Sequence, residues 1–267
     1  MTVKEDKIKY TYPLNEWKII EDEFKAENNY SNETMFSLGN GYIGMRGNFE
    51  EGFKGVGSEG TFINGFYESN TINYGEMAYG YAQKTQTMIN VTNSKVVKLF
   101  IENEEFDMLK GKILSYKRVL NLQEGLLKRV LKWRSPKGKE VEISIQRLIS
   151  FTNKHIVAIK YNVCPLNFNG QVKLISYLDG DVTNLTSEND PRVGSGFQGR
   201  MLDIEYKKVD NEKLLIKQRT KNTKFSLICT ANHKIKTSCK YKVNNSVEEF
   251  RVNAGFTFDG KIGKRLH

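Results

Sequence analysis

From Val96 onward the chain repeats one pattern: four to ten residues rich in β-branched and aromatic side chains, then a cluster of turn formers. Segments of this kind bury one face and wet the other. Their repetition predicts an all-β fold, a large antiparallel β-sandwich with few short helices. The clearest hairpin is RVLKWRSPKGKEVEISIQRLISF. Ser135-Pro136-Lys137-Gly138 is its turn, Pro136 presetting one φ and Gly138 tolerating a positive one, and Val141, Ile143 and Ile145 then alternate inward. NKHIVAIKYNV follows as a strand ended by Pro165, and QVKLISYLDG as another stopped at Asp179-Gly180. In the last third, KLLIKQR and KFSLICTA are joined by Lys221-Asn222, and CKYKV and VEEFRV by Asn244-Asn245, both read as tight hairpins. Residues 183–200 lack a strand pattern and read as a long surface loop, so residues 1–267 form a single β-sandwich domain.

The segment SLGNGYIGMRGNFEEG carries Gly39, Gly41 and Gly44 as G-x-G-x-x-G. In a dinucleotide site that fingerprint follows a buried strand and opens a helix. Here Gly47, Gly52, Gly55, Gly57 and Gly60 follow at once, each costing about 1 kcal/mol in a helix interior. Upstream, NNYSNETMFSL reads as a single helical turn with Asn32 as its N-cap rather than as a strand. The segment is therefore a compact glycine-rich loop of another kind, using positive φ and close backbone approach.

Net charge is +10, and its distribution is uneven. Two basic blocks, Lys110–Lys160 and Lys207–Lys242, raise the question of nucleic acid. In LLKRVLKWR and HIVAIKYNV, however, basic residues interleave with apolar ones as on strands with one wet face, and no recognition helix or RNA-binding signature accompanies them. No nucleic-acid partner is expected. Cys164, Cys229 and Cys239 make an odd count without a CxxC pair, and His155, His233 and His267 stand singly, so neither disulfides nor a metal site is expected. The start of the sequence has no apolar signal region and no run of eighteen apolar residues occurs, so the expectation is a cytoplasmic protein without a membrane partner.

Four stretches carry a resemblance: ETMFSLGNGYIGMRGNFEEG (Glu33 to Gly52), GTFINGFYE (Gly60 to Glu68), YKRVLNLQEGLLKRVLKW (Tyr116 to Trp133) and RLISFTNKHIVAIKY (Arg147 to Tyr161). In this collinear order, from about Trp17 to Asn184, the chain resembles the N-terminal region of glycoside hydrolase family 65, the maltose, trehalose, kojibiose and nigerose phosphorylases. The resemblance implies an N-terminal super-sandwich, a helical linker, a catalytic (α/α)6 barrel and a small C-terminal β domain. It also implies that the general acid lies in the barrel, that inorganic phosphate is co-substrate, that no other cofactor is needed, and that the substrate is an α-linked glucose disaccharide. The chain then corresponds to the first domain of a longer enzyme, inactive alone, with the barrel as its partner and a homodimer as one assembly.

Within the chain the most tempting acids are Glu50 and Glu51. Adjacent carboxylates on an extended chain point to opposite faces, so they cannot flank one glycosidic bond. Solvation or a neighbouring arginine is the ordinary fate of such a pair. Asp179 and Asp181 flank Gly180, which argues for a turn in which Asp bonds its own backbone. No catalytic residue is expected in this chain. Asn40, Arg46 and Glu50 are the candidates for an active-site rim or domain interface, through hydrogen bonds across the glycine loop or to the barrel. A free-standing carbohydrate-binding module is the alternative, for which exposed aromatics on one face or rim would be needed, whereas Trp133 and Tyr161 alternate as core residues. A domain of a longer enzyme should also expose an apolar patch where the rest packs.

Overall fold

The computed structural model describes residues 12–72, 76, 78–184 and 199–267. In chain order its strands are Lys18–Glu21 (β1), Leu38–Gly39 (β2), Ile43–Met45 (β3), Thr61–Ile63 (β4), Tyr67–Glu68 (β5), Thr87–Met88 (β6), Asn93–Ile101 (β7), Glu104–Glu105 (β8) and Lys112–Asn121 (β9). Leu126–Arg134 (β10), Glu140–Ile149 (β11), Val157–Pro165 (β12), Gly170–Asp179 (β13), Leu202–Asp210 (β14), Lys213–Thr220 (β15), Ser226–Asn232 (β16), Tyr241–Val247 (β17) and Arg251–Gly260 (β18) complete them. Among the described residues one α-helix, Asn29–Met35 (α1), accompanies them. The fold is all-β, as the alternation requires.

One five-stranded antiparallel sheet runs β1-β9-β10-β11-β12 and a second β17-β18-β13-β7-β8, with β14-β15-β16 as a third sheet beside them. Side chains from all three fill one core. Leu131, Trp133, Ile143 and Val163 of the first sheet meet Leu99, Val172, Phe256 and Phe258 of the second, joined by Leu214 and Ile216 of the third. At one end of the first sheet the inner face is covered instead by α1 and the β2–β3 hairpin, where Phe36, Leu38 and Met45 pack on Leu120, Leu127 and Ile149. The inner face of this sheet thus has two covers, and the glycine segment passes between them.

Local expectations fare unevenly. The Ser135–Gly138 turn forms, Gly138 at φ +83° and its N–H donating to the Ser135 carbonyl at 2.9 Å. The Asp181 N–H donates to Asp179 Oδ1 at 3.0 Å, the turn that Gly180 signalled. Asn244 and Asn245 are not a turn: both lie inside β17, paired with Gly255 and Ala254, and the chain reverses at residues 248–250. Cross-strand pairing with β18 outweighs the turn preference of two asparagines. Lys221-Asn222 belongs to a longer connection, closed by the Thr220 N–H on the Phe225 carbonyl, with Lys224 at φ +60°. Helix α1 begins before Asn32, whose side chain is no cap but is spent on Glu21 and Tyr12. The loop expected at 183–200 falls outside the described residues from 185 to 198.

Candidate functional site

The G-x-G-x-x-G run is a hairpin with no helix after it: Leu38 pairs with Met45 and Gly39 with Gly44, and Gly41 turns at φ +84°. Asn40 fastens this hairpin. Its Oδ1 accepts the N–H groups of Tyr42 at 3.0 Å and Ile43 at 2.8 Å, and its Nδ2 donates to the carbonyls of Ser150 at 2.7 Å and Lys154 at 3.0 Å. One side chain thereby ties the glycine hairpin to the β11–β12 turn. Arg46 spans the next stretch, donating through Nε to Ser58 O, through Nη1 to Thr34 Oγ1 and through Nη2 to Tyr30 O. Glu33 receives the Ser58 N–H at 2.6 Å and lies 3.8 Å from Arg46.

Beyond Arg46 the chain crosses a row of buried arginines. Arg118 on β9 stands opposite Arg129 on β10, and Arg147 on β11 stands opposite Leu127, one inward position from Arg129. Each is no more than 3% exposed. Arg118 donates to Glu21 Oε2 at 2.7 Å and to the Gly47 carbonyl at 3.1 Å, and Arg147 to the Asn48 carbonyl at 3.0 Å. Arg129 binds both Glu50, at 3.3 Å, and Glu51. The Phe49 ring lies against two of them, 4.9 Å from the Arg118 guanidinium carbon and 4.4 Å from that of Arg129. Three glutamates and three arginines are thereby buried as a paired set, the only affordable way to hold such charge away from water.

Two expectations change here. Glu50 and Glu51 do not face opposite ways, because they sit in a turn rather than a strand, and both carboxylates reach one guanidinium. Nor is Arg129 on a wet face, since it belongs to the inward row Leu127, Arg129, Leu131, Trp133. The signal was present: Tyr116-x-Arg118-x-Leu120 and Ile145-x-Arg147-x-Ile149 likewise carry arginine in the apolar phase of the alternation.

The electrostatics follow from burial. Tyr161 donates its hydroxyl to Glu51, and burial beside these carboxylates raises the phenol well above its ordinary value. Burial lowers Arg147, while Glu51 and Glu50 more than offset burial at Arg129 and raise it. Lys95, 1% exposed and paired with Glu59, is lowered by burial. Asn40, Arg46 and Glu50 are thus brought onto one segment, each engaged within the domain. A void of about 10 Å³ lies among Phe49, Glu50, Arg118, Arg129 and Arg147, room for a water molecule and not for a sugar ring. Among the described residues no three His, Cys, Asp or Glu side chains are grouped to hold a metal ion, and no helix is long and apolar enough to cross a membrane.

The sequence profile of glycosyl hydrolase family 65, N-terminal domain, matches residues 19–267. The chain belongs to this family. Its match extends through β18, so the last third is as much part of the family 65 domain as the glycine segment. The α,α-trehalose phosphorylase of Thermoanaerobacter brockii is 45% identical over 94% of this chain and 33% of that protein. The α,α-trehalose phosphorylase of Geobacillus stearothermophilus is 36% identical over 80% of this chain and 28% of its own length. A solved structure from the human microbiome, to which kojibiose phosphorylase activity is ascribed, superposes with a TM-score of 0.80 at 22% identity, covering 93% of this chain and 31% of that one. That likeness concerns the fold. The chain spans about a third of the length of the relatives it matches.

Proposed function

We propose that this chain is the non-catalytic N-terminal domain of a disaccharide phosphorylase acting on α-linked glucose disaccharides, with inorganic phosphate as co-substrate and trehalose as the first substrate to test. The observation that carries the reading is the alignment with two trehalose phosphorylases, which takes in nearly all or most of this chain but a third or less of theirs. Phosphorolysis needs one acid free to protonate the leaving oxygen while phosphate attacks the anomeric carbon. The carboxylates of the glycine segment are poor candidates, because Glu33, Glu50, Glu51 and Glu59 are each held by a basic side chain. The acid is accordingly assigned to a barrel domain outside this chain, which the β-sandwich supports.

Release of glucose 1-phosphate from trehalose, maltose, kojibiose and nigerose in the presence of phosphate tests this, run on these 267 residues and on the domain continued to family length. Turnover only in the longer protein is the expected result. Turnover by the short chain would overturn the assignment and return attention to Glu50 and Glu51. Calorimetric titration of the short chain with malto-oligosaccharides tests the carbohydrate-binding alternative, for which a flat titration is expected.

A further inference from the structure

One end of the first sheet carries large apolar side chains in the open: Trp17 is 48% exposed, Leu122 53%, Leu148 36%, Phe151 75% and Ile156 52%. The backbone makes them neighbours. The Leu122 N–H donates to the Trp17 carbonyl at 2.8 Å, and Leu126 pairs with Asn121 on one side and Leu148 on the other. The Phe151 ring passes so close to the β9–β10 turn that a Cβ on Gly125 would lie 3.4 Å from it, and the Ser150 N–H donates to the Ile156 carbonyl at 3.0 Å. Asn40 holds the same β11–β12 turn from the glycine hairpin. Single exposed hydrophobes are ordinary on any surface, but a contiguous group on one rim marks a contact.

The chemistry of the rim favours protein over sugar. Sugar recognition sets an aromatic platform among groups that bind hydroxyls; exposed Gln123, Glu124, Thr152 and Asn153 stand in the same turns, but Leu122, Leu148 and Ile156 add aliphatic area beside Trp17 and Phe151 that sugar hydroxyls cannot use. The relatives are about three times as long as this chain, so the partner in supply at one copy per domain is the remaining polypeptide. We propose that this rim is the seat of the polypeptide that follows the domain in a family-length protein, an inference that rests on the function proposed above.

Cysteine labelling tests the seat. Phe151→Cys and Ile156→Cys are made singly, with Val247→Cys on β17 as control, in the 267-residue chain and in the family-length protein. Maleimide reaction is followed site by site by mass spectrometry, so that the native cysteines do not interfere. Reaction about tenfold slower at 151 and 156 in the longer protein, with 247 unchanged, is the expected result. Equal rates at the rim in both proteins, or slowing at 247 alone, would overturn it. So would slowing at the rim of the short chain that grows with its concentration, which assigns the seat to a second copy, or that follows malto-oligosaccharide, which assigns it to sugar. Phosphorolysis assayed on the same longer protein separates the two ideas: activity with an unprotected rim removes the seat alone, and a protected rim without activity removes the phosphorylase reading alone.

Discussion

Arg129 is the pin under the glycine segment, binding Glu50 and Glu51 at once with 3% of its side chain exposed. Removing it leaves the buried Glu51 without a cation and Glu50 with Arg147 alone, at 3.5 Å, so Arg129→Met is expected to cost about 3–5 kcal/mol in urea unfolding. Arg134, five positions on, makes a similar 2.7 Å pair with Glu140 but is 47% exposed, and Arg134→Ala is expected to cost less than about 1 kcal/mol in the same assay. His233 has the opposite chemistry: its Nδ1–H donates to the Glu212 carbonyl at 2.6 Å and its Nε2 accepts from Ser176 at 2.8 Å, which suits the neutral ring. Burial lowers its pKa below the usual 6.5 despite the Glu212 carbonyl and carboxylate. On acidification the unfolded chain takes up this proton first, so the stability it contributes is present above pH 6.5 and lost below it. The Tm of His233→Gln should fall less than that of the parent between pH 7 and pH 5, followed by near-UV circular dichroism.

The glycines of the hairpin separate by what each backbone position demands. A Cβ on Gly47 would stand 2.8 Å from the Phe36 carbonyl oxygen and 2.9 Å from its carbonyl carbon, and neither can give way without moving α1. Gly41 needs φ +84° for the turn, whereas Gly44 has nothing within 4 Å of an added Cβ and no positive φ. Thermal melts of three alanine variants should therefore rank: Gly47→Ala costs about 1–3 kcal/mol, Gly41→Ala about 1, and Gly44→Ala close to nothing. A motif reader weights Gly41 and Gly44 as parts of one fingerprint, yet of these three glycines the one with the tightest backbone approach is Gly47, outside it. The same contrast explains β17: Asn244 and Asn245 signal a turn in isolation, but seven residues of register with β18 hold them extended.

Across the molecule, the three large sheets share a single core, with Trp133, Val172 and Ile216 fully buried in it. We propose accordingly that the described chain unfolds as one unit, and calorimetry should give equal calorimetric and van't Hoff enthalpies; two resolved transitions would divide it. The all-β class and most strands of β9–β13 were legible in the sequence, because alternation with period two is imposed by the strand itself and needs no knowledge of the partner. The family, too, was legible, in collinear stretches from Glu33 to Tyr161 that the profile match over 19–267 extends to the end of the chain. What alternation could not say is which neighbour an inward residue would meet. Arg118, Arg129 and Arg147 occupy apolar positions in their strands, and their burial is made possible by the crossing of Gly47–Gly52 over them, which supplies Glu50, Glu51 and two carbonyls, together with Glu21 from β1. Likewise Trp17, Leu122 and Phe151 lie in three separate segments, which had to be brought to one sheet end before they became a surface. Period and turn chemistry are local and were settled by the sequence, while the pairing of distant charges and the assembly of a rim depend on which segments the tertiary fold sets side by side.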